Sequence, residues 1–237
     1  AELMNFGLSE EQEMIVNTVR SFVEKEIYPH EDLVEQSAEV PREIAQDIKQ
    51  KTIDIGFYAC NFPESVGAAG LSHVDFALVE RELGRGSMAL THFFGRPQNI
   101  LMACQGTQVE RYLRPAIRGE KMDALAMTEP GAGSDVRSMA CSAQRAGGDW
   151  VLNGNKHFIS GAEHADFVIV FVATGVDETP RGPKKRITTF LVDRGTPGFT
   201  IREGYKSVSH RGYKNMILEF DNCRLPDAQV LGEVDGG

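Results

Sequence analysis

The stretch Leu125–Asp135, LAMTEPGAGSD, passes from an apolar strand into a glycine-rich turn. Ala124–Met127 reads as the strand, after which Gly131 and Gly133 let the backbone approach a bulky ligand with no side chain in the way. Exposed N–H groups at such a turn suit the polar edge of a ring. A dinucleotide fingerprint of the Rossmann type is rejected, because it needs three spaced glycines and a following helix. Here Val136 follows, and RSMACSAQRAGG beyond it reads as strand and turn. A plain β-turn capped by Ser134 or Asp135 is the competing reading of the tetrapeptide taken alone.

Upstream of Lys121 the pattern is helical. Ile15, Val19, Phe22, Val23 and Ile27 recur at three- and four-residue steps, and Ser9 with Gln12 supplies a capping box at the start. Pro41 suits a first helical turn, with Ile44 and Ile48 on one face behind it. A further helix is expected from Ser72 to Leu83, burying Phe76, Val79 and Leu83 and stopped by Gly84. An apolar stretch with Phe93, Phe94, Ile100 and Leu101 precedes a short helix opened by Thr107 and Glu110. Downstream, short runs rich in Val, Ile and Phe are broken by Gly, Asn, Asp and Pro. Asn153-Gly154 between two such runs predicts a type I′ hairpin joining 149–152 to 155–160. Strands are expected at 167–173, 187–192, 199–202 and 216–220, and the polar insert 175–186, GVDETPRGPKKR, is expected as an exposed loop. The fold class is therefore α+β: an all-helical domain over 1–120, then an antiparallel β-barrel or sandwich over 121–237.

Composition narrows the functional classes. With 25 Lys plus Arg against 34 Asp plus Glu, the formal net charge is -9, which disfavours phosphate backbones and nucleic acid. No run approaches the roughly 18 apolar residues of a membrane span, and AELMNFGLSEEQ lacks the marks of a signal sequence, so a cytoplasmic protein is expected. Cys60, Cys104, Cys141 and Cys223 are far apart and the six His are scattered, so neither a disulfide framework nor a metal site is expected.

TEPGAGSD, then NGNKHFISGA, then LPDAQVLGEVDGG, in that order and spacing, resemble the acyl-CoA dehydrogenases. The likeness extends over the whole chain, with 1–120 similar to that family's N-terminal helical domain and 121–237 to its middle β-domain. The resemblance implies FAD as cofactor, an acyl-CoA thioester as substrate and electron-transfer flavoprotein as partner in fatty acid metabolism, in the mitochondrial matrix if the source is eukaryotic. It implies flavin contacts at Leu125, Met127, Thr128, Gly133, Ser134, Phe158, Ile159 and Ser160, with Ser134 also reaching the CoA substrate. Thr128 would bond the pyrimidine side of the flavin, Phe158 would cover one face, and Ser160 would approach N5. Alternation along a strand places Phe158 and Ser160 on one side, able to address one planar ligand. Many members have Trp where this chain has Phe158, a change that keeps the stacking surface and removes a donor.

Glu129 is read as structural rather than as a base. His210, Arg211, Lys206 and Lys214 are read as solvated charges. No residue is assigned as the catalytic base. Family members continue into a C-terminal helical bundle that carries the catalytic Glu and builds a tetramer or dimer, so this chain is expected to be part of a longer protein. An acyl-CoA oxidase, an enoyl-CoA reductase and a non-catalytic binding protein of the same fold are the alternatives.

Overall fold

The computed structural model describes residues 7–180 and 182–237, and these form two compact units. The first holds residues 7–96 together with His210–Gly212, and the second Pro97–Ser209 with Tyr213–Gly237. Compactness thus divides the chain earlier than the change of sequence pattern at Lys121 does.

The first unit is helical. Helix α1, Glu10–Phe22, begins at the Ser9 cap: Ser9 Oγ accepts from Gln12 N, and the Gln12 side chain accepts from Ser9 N. Its buried stripe is Ile15, Val16, Val19 and Phe22. A π-helical turn, Val23–Ile27, carries the chain into α2, Tyr28–Ser37. Pro29 explains that widened turn, because its nitrogen cannot donate and the preceding ladder re-registers. Helix α3 is Arg42–Asp54, begun at Pro41, and α4 is His73–Leu83, capped by Ser72. Phe22 meets Phe94 edge to face at 5.2 Å, joining α1 to the buried aromatic stretch. Glu82 on α4, 3% exposed, accepts from Arg20 Nε of α1 at 3.0 Å. Arg211 is not merely solvated as the sequence suggested: its Nε donates to the Glu35 carbonyl at 2.6 Å.

The second unit is one eight-stranded sheet preceded by short helical turns. Its strands are β1 Asp123–Ala126, β2 Ser142–Ala146, β3 Asp149–Ser160, β4 Phe167–Thr179, β5 Gly182–Asp193, β6 Phe199–Tyr205, β7 Asn215–Pro226 and β8 Val230–Leu231. Their order is β6-β7-β3-β2-β4-β5-β8, with β1 beside β4. Pairing is antiparallel except where β1 and β2 meet β4 in parallel. Phe190, Leu152, Leu218 and Phe220 belong to a single core. Trp150 of β3 touches Phe190 of β5 at 5.5 Å, although two strands separate them in the sheet, so the sheet curls round its core.

Two turn assignments are corrected. Asn153-Gly154 is not a hairpin turn, because β3 runs through it with a bulge against β7 between Leu152 and Gly154. The hairpin turn is Gly147-Gly148, which joins β2 to β3 with Ala146 opposite Asp149. Gly154 takes φ 132°, and an added Cβ would lie 2.7 Å from Cys141 Cα, so both backbone angle and space favour glycine there. The insert 175–186 is not a loop between strands either. It is the outer part of a β4–β5 hairpin, paired from Gly175–Arg186 to Thr179–Gly182. Its alternating polar residues suit two solvated strand faces.

Candidate functional site

The end of β1 and the loop after it form the floor of the candidate site. Ala124 and Ala126 point into the core, which leaves Leu125 and Met127 half-buried on the opposite face. Glu129 and Ala132 exchange backbone hydrogen bonds, N to O at 3.0 Å and 3.2 Å, closing the Pro130-Gly131 turn. Beyond it Gly133 and Ser134 are exposed. The N–H groups of Gly131, Gly133 and Ser134 donate to no group among the described residues, and neither the Thr128 nor the Ser134 hydroxyl has a partner there. A Cβ on Gly131 or Gly133 would meet nothing within 4 Å. Neither glycine is required by local packing or by a positive φ, so the open, donor-rich cradle is the property they preserve.

Strand β3 supplies the wall. Its pairing with β7 shifts register between Lys156 and Ile159, and Phe158 within that bulge has φ 57°. A bulky residue in the left-handed region is an outlier that surrounding structure must hold in place. Phe158 is 52% exposed, and its ring stacks on Tyr205 at 4.2 Å with 16° between planes. Tyr205 Oη in turn meets His157 Nδ1 at 2.7 Å. One face of the Phe158 ring is therefore taken, leaving the other for a planar partner. Ile159 is turned into the core, so only its backbone is available to a ligand. Ser160 Oγ donates to Asn215 Oδ1 at 2.8 Å, which fixes the end of β3 against β7.

Glu129, read from sequence as structural, is 6% exposed and bonded on both carboxylate oxygens. Its partner Lys156 is fully buried. Sequence reading passed over Lys156, since nothing in the local pattern marks a strand lysine as buried; its partner lies 27 residues upstream. Burial raises the Cys141 thiol beside this pair to about 12, so it is inert as a nucleophile at neutral pH. All four cysteines are free and buried. Among the described residues no helix is long and apolar enough to cross a membrane, and no group of His, Cys, Asp or Glu is arranged to hold a metal ion.

A loop of unspent donors and a half-open aromatic ring on β3 have the chemistry to take the polar edge and the face of a planar ligand. The model of the acyl-CoA dehydrogenase N-terminal domain matches residues 9–120, and that of the middle domain residues 124–223. Benzylmalonyl-CoA dehydrogenase of Aromatoleum aromaticum is 34% identical over 98% of this chain and 60% of its own length. A 3-(aryl)acrylate reductase of Clostridium sporogenes is also 34% identical, over 97% of this chain and 60% of its own length. The acyl-CoA dehydrogenase of Geobacillus kaustophilus superposes with a TM-score of 0.82 at 29% identity, over 99% of this chain and 61% of that structure. A glutaryl-CoA dehydrogenase of Mycobacterium smegmatis, solved in complex with FADH2, gives 0.79 at 28% identity over 95% and 56%. The chain thus spans less than two thirds of the length of each of these relatives. Its two matched domains, their order and their fold place it in the acyl-CoA dehydrogenase family.

Proposed function

We propose that this chain is the flavin- and thioester-binding part of an FAD-dependent enzyme that introduces an α,β double bond into acyl-CoA thioesters. The observation that carries the reading is the cradle at Gly131–Ser134, with donors and a hydroxyl left free, on a loop that His157, the neighbour of the exposed Phe158, holds through the Thr128 carbonyl at 2.8 Å. FAD, when bound, supplies the hydride acceptor. Thr128, Gly133 and Ser134 would hold its polar edge, Leu125 and Met127 would line the ring system, and Phe158 would offer a stacking face next to the backbone of Ile159 and Ser160. Ser134 also serves the CoA moiety. None of these groups is a base. The proton is taken by a carboxylate of a C-terminal helical domain, which also builds a dimer or tetramer, and electrons leave to electron-transfer flavoprotein. Residues 1–120 and 121–237 act as the helical and β-domains of that enzyme, in the cytoplasm or mitochondrial matrix.

The test is anaerobic titration of the intact protein with straight, branched and aryl-substituted acyl-CoA. A yellow protein that bleaches with one of them supports the reading. A colourless preparation that FAD cannot reconstitute sinks it. The 34% identity to the 3-(aryl)acrylate reductase favours a second reading, reduction of an α,β double bond, which for this chain would be that of an enoyl thioester. In that case the chemically reduced protein regains its colour on addition of enoyl-CoA faster than the oxidised protein loses it to acyl-CoA.

A further inference from the structure

We propose that Glu129 and Lys156 are positioning residues of the flavin site, their buried ion pair fixing the loop 127–132 in the shape that leaves the neighbouring N–H groups free. This rests on the flavin reading above. Lys156 Nζ donates to Glu129 Oε1 at 2.7 Å and to the Met127 carbonyl at 2.9 Å. Their side chains are 0% and 4% exposed. The Glu129 carboxylate also accepts from Ala140 N at 2.5 Å and from Cys141 N at 3.1 Å, so it ties the start of the loop to the segment that follows it. The next residue of β3 adds another anchor, His157 N to the Thr128 carbonyl at 2.8 Å. Anchors thus fall on Met127, Thr128 and Glu129, and they stop short of Gly133 and Ser134.

A buried ion pair is weak as a source of stability, since an apolar pair of like volume often does as well. What the charged pair provides is direction. A lysine offers three donors and a carboxylate two acceptor oxygens, and here the partners converge from three segments of chain. Lys156 also stands at the upstream edge of the bulge that sets Phe158 at φ 57°. One side chain therefore fixes the floor of the site relative to its aromatic wall. Glu129 is not a reacting group: both oxygens are occupied and buried.

Lys156→Met alone strands a buried carboxylate and is expected to misfold. The informative variant is Lys156→Met with Glu129→Gln, compared in the intact protein with wild type and with Lys156→Arg. FAD binding to the apoprotein, the visible circular dichroism of bound flavin and thermal unfolding are measured. The double variant is expected to unfold cooperatively yet bind FAD about tenfold or more weakly, with an altered flavin signal, as loss of supporting partners does at other cofactor sites. Lys156→Arg, which keeps charge and donors, is expected to restore most of the affinity and the signal. A folded double variant with wild-type affinity and flavin signal overturns the proposal, and so does a double variant that does not fold, since the pair then serves the fold. Wild-type apoprotein that takes up no FAD removes the flavin reading itself, and this proposal with it.

Discussion

At Phe158 two requirements conflict. The backbone is left-handed, at φ 57°, where a Cβ is disfavoured, yet the side chain is an aromatic ring more than half exposed. A residue chosen for stability there would be glycine. The flavin contact proposed above would give the ring a use that outweighs the backbone strain, as strained positions at binding sites do. Phe158→Gly is therefore expected to leave the apoprotein as stable as wild type or to raise its stability by about 1 kcal/mol, while weakening FAD binding. Urea unfolding and flavin titration of the same variant check both halves. A variant that is destabilised and binds FAD normally would show the ring to be packing material. The sequence offers Phe158 as a candidate through the resemblance at KHFISG, but not its strain: simple alternation predicts only that it shares a side with Ser160.

At the scale of single elements, two glycine-containing pairs compete for one hairpin. Asn153-Gly154 has the stronger local signal, and Gly147-Gly148 makes the turn. Local propensity cannot separate them, because both supply positive φ; Gly147 takes 70° and Gly154 takes 132°. The choice is made by strand pairing, since β2 and β3 pair up to Ala146 and Asp149 while β3 continues through Gly154 along β7. Gly147 faces open space, whereas a Cβ on Gly154 would sit 2.7 Å from Cys141 Cα. Gly147→Ala should therefore cost about 1 kcal/mol through backbone strain alone, and Gly154→Ala about 2–4 kcal/mol because backbone must move as well. Denaturant midpoints at constant m-value measure the difference. Equal costs would mean that the close approach at Cys141 yields easily. The π-helical turn before Pro29 has the same lesson: periodicity located the helix, and the missing proline donor accounts for its widened turn.

At the scale of the whole molecule, the carboxylates that the fold encloses shift in opposite directions in the two units, while Glu120 and Glu219 of the sheet unit are lowered by Arg118 and Arg202 in surface pairs that count for little. In the helical unit, the Arg20 and Arg81 partners hold Glu82 below its ordinary value, and the Ser72 and Gln12 hydrogen bonds do the same for Asp75. Carboxylates depressed in the folded state contribute stability above their unfolded values, and that stability is lost as pH falls through the lowered folded ones. In the sheet unit, burial raises Asp123 to about 6, so its contribution is present below the ordinary carboxylate value and is lost as pH rises through about 6. Acidification below the ordinary carboxylate range is thus expected to reduce helical circular dichroism before it shifts the fluorescence of Trp150, the single tryptophan, buried in the sheet core. Coincident transitions would refute this order. The sequence by itself determined helices α1, α3 and α4 of the first unit, though not α2, together with the capping box at Ser9, the strand-rich second half and the loop TEPGAGSD, because each is encoded within a few adjacent residues. Only the tertiary structure decided that β1 and β2 join β4 in parallel, that 175–186 extends a hairpin, and that Lys156 is buried on Glu129. Those features depend on groups brought together from distant parts of the chain, where the gain is hydrogen bonding and burial that no local window of sequence contains.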